Sequence, residues 1–510
     1  MPDMINGLLI DIKNSITSQY VWLFLIMLLV FALRLPVSNV SVLDWDESVY
    51  FTIAQDIANG GVPYQTSWDT KGPFLFFMFV PVTHLFGENI AALRIFTDAY
   101  LLISMFFLYL LARNFFQGFT SLVPPLIYGL FFITPDLGGF ASNGELFMML
   151  PVILALLFFL DYEKKGGWFY LFFSGCFTAA AFFTKGTAIF SVLVIPLLII
   201  FRNLGHGNTN IKSFIKESMF YSLGVLSIVL ALTLYFLIHG ALHDFYYSYF
   251  VINSRYVGAV SLRDASVKLA SFIYGAFVRN RDFTTLLAAV SSIFILIQLI
   301  GSKFREEEKK TLFFIVALGF TSLVGVLWGR RMFPHYYLQM SLSYSLLIAL
   351  GISKLELDRK YIQVLIVIII TAAFMVQYPI TRTIRDLKDN DKNIFEADDS
   401  YAVADYIRSN TSEGDTMLVI GGQPIIQFLS DRRAPIKYFW WPQHHKVIFE
   451  ILNLKDIVPE ALNKNKPVYI VFYDGKIKDE ITHIGYLDLF INDNYNLEKE
   501  IGSYKLYRMK

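Results

Sequence analysis

A single cysteine, Cys176, stands in 510 residues, which excludes an intramolecular disulfide and any cysteine-built metal site. It lies within an apolar run and reads as a small buried side chain. Charge is also scarce: Asp, Glu, Lys and Arg make up 17% of the chain, against about a quarter in soluble proteins. What charge there is nearly cancels, at a formal net of +1, so nothing points to nucleic acid or another polyanion as a partner. A Walker loop and a Gly-x-Gly-x-x-Gly run are both missing, which leaves no signature of nucleotide chemistry. No small-residue cleavage site follows a short apolar core at the N-terminus, so the first apolar run reads as a retained helix.

What is abundant is apolar. Hydrophobic residues make up 55% of the chain, with 49 Phe and 29 Tyr, and the mean hydropathy is +0.50. Apolar runs over 20–37, 90–112, 119–135, 144–161, 168–184, 186–201, 217–239, 283–301, 311–328, 336–353 and 361–379 predict about eleven membrane-spanning helices. A further run at 73–87 decides the topology. It is short and interrupted by Pro81 and His84, so it is expected to lie in the interface. Arg113, Lys164 and Lys165, Arg202 with Lys212 and Lys216, the 303–310 cluster and the Lys354–Lys360 loop then share one side. The positive-inside rule makes that side cytoplasmic. Residues 38–89, 136–143, the turn at Lys185, the 240–282 loop, the Arg330–Tyr337 turn and 380–510 fall outside, in the setting of a prokaryotic plasma membrane.

The outer loops carry the chemistry-bearing residues. In the first, Asp44-Trp-Asp46-Glu47-Ser-Val-Tyr50 opens an amphipathic stretch in which Val49, Ile53 and Ile57 recur every four residues, ended by Gly60-Gly61. Asp44 reads as the helix cap, while Asp46 and Glu47 are acids next to a membrane surface that makes unpaired charge costly. Lys71, in Trp68-Asp-Thr-Lys71-Gly72-Pro73, either snorkels to the interface or meets a lipid-borne phosphate, and Arg94 admits the same two readings.

Asp46-Glu47-Ser-x-Tyr50, then Ala54, Ala58 and Gly60-Gly61, then Lys71-Gly-Pro73, Phe86-Gly87 and Arg94, resembles the first outer loop of the protein O-mannosyltransferase and aminoarabinose transferase superfamily. There the pattern is Asp-Glu-x-x-Tyr followed by Lys-Pro-Pro and an Arg, so Gly72 departs from it. Ala141-Ser-Asn143-Gly-Glu145, Phe183-Thr-Lys185-Gly186 and Arg330-Arg331-Met-Phe-Pro334-His335-Tyr336-Tyr337-Leu-Gln339 resemble later motifs of bacterial members, in order, over most of 20–353. These are integral-membrane glycosyltransferases of the GT-C class. The resemblance implies transfer of a sugar from a polyprenyl-phosphate donor, with inversion and with Asp46 as general base beside Glu47. Lys71, Arg94, Arg330 and Arg331 are then candidates for the donor phosphate, and Glu145, Lys185, His335, Tyr336 and Gln339 for substrate binding.

Such a transfer needs a base for the acceptor, cations for the leaving phosphate and a bilayer for the lipid tail. No general acid is required, because a phosphate leaves unprotonated. The acceptor is expected to be an extracytoplasmic cell-envelope glycan, lipid or protein. Glu145 serves equally as an acid at a helix N-terminus, and His335 and Tyr336 as interface anchors. No cofactor is implied, although Asp46, Glu47, Glu145 and His335 are types that could gather a divalent cation. The Tyr- and Arg-rich 239–282 loop either covers a substrate or lies as a helix in the interface. A flippase for lipid-linked saccharides would instead show repeated, Gly/Pro-broken helices with mid-membrane charge. A non-catalytic assembly subunit would not need Asp46.

From about 395 the pattern becomes α/β. It predicts helices at 399–410, 423–430, 443–461 and 484–493, strands at 416–420 and 467–473, and a closing pair near 496–508. A small three-layer domain with a mostly parallel sheet is expected, one that either binds acceptor or covers the outer face.

Overall fold

The computed structural model describes residues 19–204, 210–274, 283–300, 304–355, 357–358, 361–366, 368–369, 399–421, 424–440, 446–473 and 485–510. Most of the helix expected over 361–379 lies outside the described residues. In chain order, α1 (Gln19–Val37) leads to α2 (Trp45–Ala58), α3 (Pro73–Phe86), α4 (Ile90–Ala112), α5 (Val123–Phe131), α6 (Gly144–Lys165) and α7 (Trp168–Thr184). A broken pair, α8 (Ala188–Val192) and α9 (Val194–Leu204), precedes α10 (Ile211–Ile238). Three outer helices follow, α11 (Leu242–Tyr246), α12 (Asn253–Gly258) and α13 (Leu262–Tyr274), and then α14 (Phe283–Ile300), α15 (Glu306–Trp328) and α16 (Ser341–Ser353).

Among the described residues, α1, α4, α6, α10 and α15 are long and apolar enough to cross a membrane; the remaining apolar helices are shorter. The expected run at 186–201 breaks at Leu193, and those at 119–135 and 336–353 each begin with a 3-10 turn. With 14 residues and an internal proline, α3 reaches only about 21 Å, short of a hydrocarbon core of about 30 Å. Leu226, Leu230 and Leu234 on α10 are exposed at every fourth position, an apolar stripe suited to lipid.

Two features set the packing. Helices α7 and α10 meet backbone to backbone. A Cβ on Gly175 would sit 2.0 Å from the Tyr221 carbonyl oxygen, and one on Gly224 1.9 Å from that of Phe172. Only glycine allows that approach, the device that joins helices where lipid supplies no hydrophobic drive. The second feature is a polar stripe on α4, Arg94, Thr97 and Asp98, which lie on one face at helical spacing. Asp98 pairs with Arg34 of α1, whose guanidinium also donates to the carbonyls of Phe132, Gly139 (2.8 Å) and Phe140 (2.9 Å). Thr97 bonds Ser142 at 2.9 Å. The stripe thereby fixes the 132–143 loop from below.

The C-terminal region contains α17 (Asp399–Ser409), β1 (Met417–Ile420), α18 (Ile425–Ser430), α19 (Lys446–Ile451), α20 (Leu454–Lys464), β2 (Tyr469–Tyr473), α21 (Gly485–Asn494), β3 (Tyr495–Ile501) and β4 (Tyr504–Met509). The sheet order is β1-β2-β4-β3. The expectation of a mostly parallel sheet is corrected: only β1 and β2 pair in parallel, and β4 runs antiparallel to both neighbours. Helices connect β1 to β2, which permits a parallel crossover. Between β3 and β4 only Gly502 and Ser503 intervene, and so short a link forces a hairpin.

Candidate active site

The site begins with the N-terminus of α2. Asp44 caps the helix by accepting from the Asp46 N–H at 3.0 Å. Glu47 reaches back to accept from the N–H groups of Leu43 (2.6 Å) and Asp44 (3.4 Å), and from Ser142 N–H at 2.8 Å. The Arg94 fork closes on the same carboxylate. Glu47 is 0% exposed and every lone pair it has is engaged. Successive helix residues point about 100° apart, so Asp46 faces away from α4 and into a cavity.

That cavity has a volume of about 1090 Å³ and is lined by segments far apart in the chain. Asp44, Asp46, Asp69 and Lys71 come from the first outer loop, and Lys185 from the turn after α7. Asn253 and Tyr256 come from α12, Arg331, His335 and Tyr336 from the turn before α16, and Trp440 and Ile448 from the C-terminal region. Lys71 Nζ lies 3.0 Å from Asp46 Oδ2, and Tyr50 donates its hydroxyl to the same oxygen at 3.1 Å. Burial opposes the Asp46 charge, but Lys71, with His335 and Lys185, outweighs it and holds the carboxyl well below its usual range. Burial likewise opposes the Lys71 charge, and Asp46 more than restores it, so the ammonium titrates well above its ordinary range. Asp44 and Asp69 go the other way: burial, together with the Asp46 charge, pushes each up to about 6.

Gly72, the departure from the superfamily pattern, has a steric reason. A Cβ there would stand 1.9 Å from the Phe183 carbonyl oxygen, so the loop that carries Lys71 lies directly on the end of α7. The same loop is tied by Tyr64, which donates to the Lys71 carbonyl at 2.6 Å, and by Asn253, which donates to that of Thr70 at 2.6 Å.

The structure brings together Asp46, Lys71, Lys185, Arg331, His335 and Tyr336 from the sequence-derived set. Lys185 pairs with Glu145 and lies 4.9 Å over the Tyr336 ring, while Glu145 Oε2 is buried with no partner among the described residues. Arg331 packs 4.1 Å over Tyr256. The other members of the set are held outside the cavity lining. Glu47 and Arg94 are occupied with each other and do not line the cavity. Arg330 turns away to donate to the Val260 carbonyl at 3.0 Å. Gln339 donates to the Thr187 carbonyl and Ser191 hydroxyl, both at 2.9 Å, bracing the turn against α8. Arg330 and Met332 both have positive φ, about 1–2 kcal/mol of backbone cost each, which aims Arg331 alone inward.

Sequence reasoning missed Asp69, Asn253 and Trp440. Asp69 sits beside Lys71 in the quoted motif, but nothing local marks it as buried. Trp440 is set by tertiary packing: its indole stacks on Trp68 at 5.6 Å and donates to the Trp68 carbonyl at 2.7 Å. The segment from Leu242 to Gly258 is helical, and part of it walls the cavity. Among the described residues no three His, Cys, Asp or Glu side chains converge on a common metal position.

Residues 70–239, a third of the chain, match the family model described as dolichyl-phosphate-mannose-protein mannosyltransferase. The fold superposes on ArnT from Cupriavidus metallidurans bound to undecaprenyl phosphate, with a TM-score of 0.62 and 11% identity over 96% of this chain and 98% of that one. The chain has the GT-C membrane-glycosyltransferase fold. A second GT-C structure, the archaeal oligosaccharyltransferase AglB from Archaeoglobus fulgidus in complex with an inhibitory peptide and a dolichol-phosphate, gives a TM-score of 0.53 at 13% identity. That match covers 96% of this chain and 74% of AglB. Comparison with curated protein sequences gives no match. Within the GT-C frame, the matched segment carries Lys71, Arg94, Glu145 and Lys185, whereas Asp46 and the 330–339 turn lie outside it.

Proposed function

We propose that this protein is a glycosyltransferase that moves a monosaccharide from a polyprenyl-phosphate donor to an extracytoplasmic acceptor in the plasma membrane. The observation that carries the reading is the Asp46–Lys71 ion pair, set in a large cavity with Lys185 and Arg331 close by. A carboxylate for the acceptor and cations for a departing phosphate are the two groups this chemistry needs. Undecaprenyl phosphate on ArnT and dolichol-phosphate on AglB support a lipid-phosphate donor.

In the resting site Lys71 neutralises Asp46. A donor phosphate competes for that ammonium, and as Lys71 turns to it, Asp46 regains the basicity to engage the acceptor hydroxyl. The acceptor oxygen then attacks the anomeric carbon from the side opposite the phosphate, so the configuration inverts. The C1–O bond breaks with its electron pair on the phosphate, where Lys71 and Arg331 stabilise it. Through Trp440 and Ile448, the C-terminal region forms part of the cavity wall.

The test uses purified protein in nanodiscs and a panel of radiolabelled undecaprenyl-phosphate monosaccharides, with a membrane extract supplying acceptor. Label should move from one donor to extract material. Lys71→Met should cut kcat/KM for the donor by about 10²-fold or more, as loss of an electrostatic stabiliser does. No transfer from any donor would overturn the reading.

A further inference from the structure

Handling the proton is the step of this reaction that Asp46 alone performs poorly. Its carboxylate is surrounded by Lys71 and Lys185 and receives the Tyr50 hydroxyl, all of which favour the charged form. A proton taken from the acceptor has to leave Asp46 before Lys71 can return and the next donor can bind.

The same cavity wall holds a group suited to receive it. His335 lies in the 3-10 turn before α16, with its Nδ1 3.6 Å from Asp44 Oδ2. The ring stacks on Phe333 at 5.7 Å between centroids and meets Tyr336 edge-on at 5.1 Å, which fixes its plane. A carboxylate beside Nδ1 favours the tautomer with its proton on Nδ1, leaving the Nε2 lone pair free to accept. Among the described residues no hydrogen bond occupies Nε2, and His335 lines the cavity with Asp44 and Asp46. The Asp44 backbone is in turn locked by Glu47, so the dyad is carried on the fixed N-terminus of α2. The other charged groups on neighbouring elements are Glu145 with Lys185, which neutralise each other, Asp136 on the 3-10 turn facing solvent, and Arg331 in the same turn as His335.

We propose that His335 is the proton acceptor that completes the transfer, with Asp44 as its positioning carboxylate. The inference rests on the glycosyltransferase reading and deepens it. As the acceptor oxygen bonds to the anomeric carbon and the C1–O(phosphate) bond breaks, the acceptor hydroxyl proton passes by way of Asp46 to His335 Nε2. The imidazolium, steadied by Asp44, releases it to the outer solution. A neutral imidazole is a base through its free ring nitrogen and an acid once protonated, so the same side chain can take a proton and pass it on. The raised affinity of Asp44 for protons keeps the dyad from being a fixed ion pair.

The test measures steady-state transfer from the undecaprenyl-phosphate monosaccharide panel to membrane extract, for wild type, His335→Gln and Asp44→Asn, as a function of pH. His335→Gln should lower kcat by about 10²-fold or more with donor KM little changed, and should lose the acidic limb of the profile. Added free imidazole should restore some of the rate to His335→Gln but not to Asp46→Asn. Asp44→Asn should keep the limb but move it. A His335→Gln enzyme within threefold of wild type overturns the inference. So does a slow variant with an unchanged pH limb and no imidazole rescue, because a merely structural histidine would behave that way. Absence of transfer by wild type over the whole panel overturns the glycosyltransferase reading itself, and the inference with it.

Discussion

At the scale of residues, adjacent acids on α2 have opposite fates. Asp46 enters the cavity and meets Lys71; Glu47 is sealed inside against Arg94. Removing one partner of a buried pair leaves the other charge uncompensated, at about 3–5 kcal/mol. Glu47→Gln and Arg94→Met should therefore each lower the unfolding temperature in detergent sharply, while the double variant recovers some of the loss. Asp46→Asn should unfold nearly as wild type does, since its carboxylate is partly exposed. Asp69 supplies a pH test. Its folded pKa of about 6 lies above the ordinary 3.8, so the native state binds this proton more tightly than the unfolded chain does. Acidification from pH 8 towards 5 then stabilises the fold through this group, and the ionised form carries a penalty above about pH 6. Asp69→Asn should exceed wild-type stability by about 3 kcal/mol at pH 8, with the advantage about halved at pH 5 and lost below about pH 4. Equal stability at both pH values would contradict that. The identities of Asp46 and Lys71 were legible as a motif. The division of labour between Asp46 and Glu47 was not, because it depends on which side of α2 faces α4.

At the scale of elements, the α7–α10 contact depends on Gly175 and Gly224, where any side chain would strike a carbonyl. Gly175→Ala and Gly224→Ala should each reduce the yield of folded, monodisperse protein, and Gly224→Leu should abolish it. Normal yield for Gly224→Leu would show that these helices do not touch as described. Apolar runs marked most helices to within a few residues, since burial in lipid or protein demands the same composition along the segment. They could not show the break at Leu193 or the 3-10 entry to α16, where Gln339 and its partners on α8 impose local geometry. Strand positions in the C-terminal sheet were also legible from buried runs. Strand direction was not, because it is set by the length of the β3–β4 link rather than by the strands themselves.

At the scale of the whole molecule, the cavity is closed by segments far apart in sequence. Lys437 Nζ bonds Asp244 at 2.8 Å and the Tyr64 carbonyl at 3.2 Å, and Trp440 stacks on Trp68, so the C-terminal region clamps the first outer loop and the 240–258 segment together. The positive-inside rule predicts that all three face the extracytoplasmic side. In a Cys176→Ser background, a cysteine at Ser503 should react with a membrane-impermeant maleimide in intact cells, and one at Lys165 only after lysis. Reversed labelling would overturn the orientation. The most direct test of the central claim is sugar transfer from undecaprenyl-phosphate donors by wild type and Asp46→Asn, normalised to folded protein. Transfer by wild type and a loss of about 10²-fold or more in the variant, with unfolding temperature unchanged, is the expected result. Equal transfer by both would contradict it.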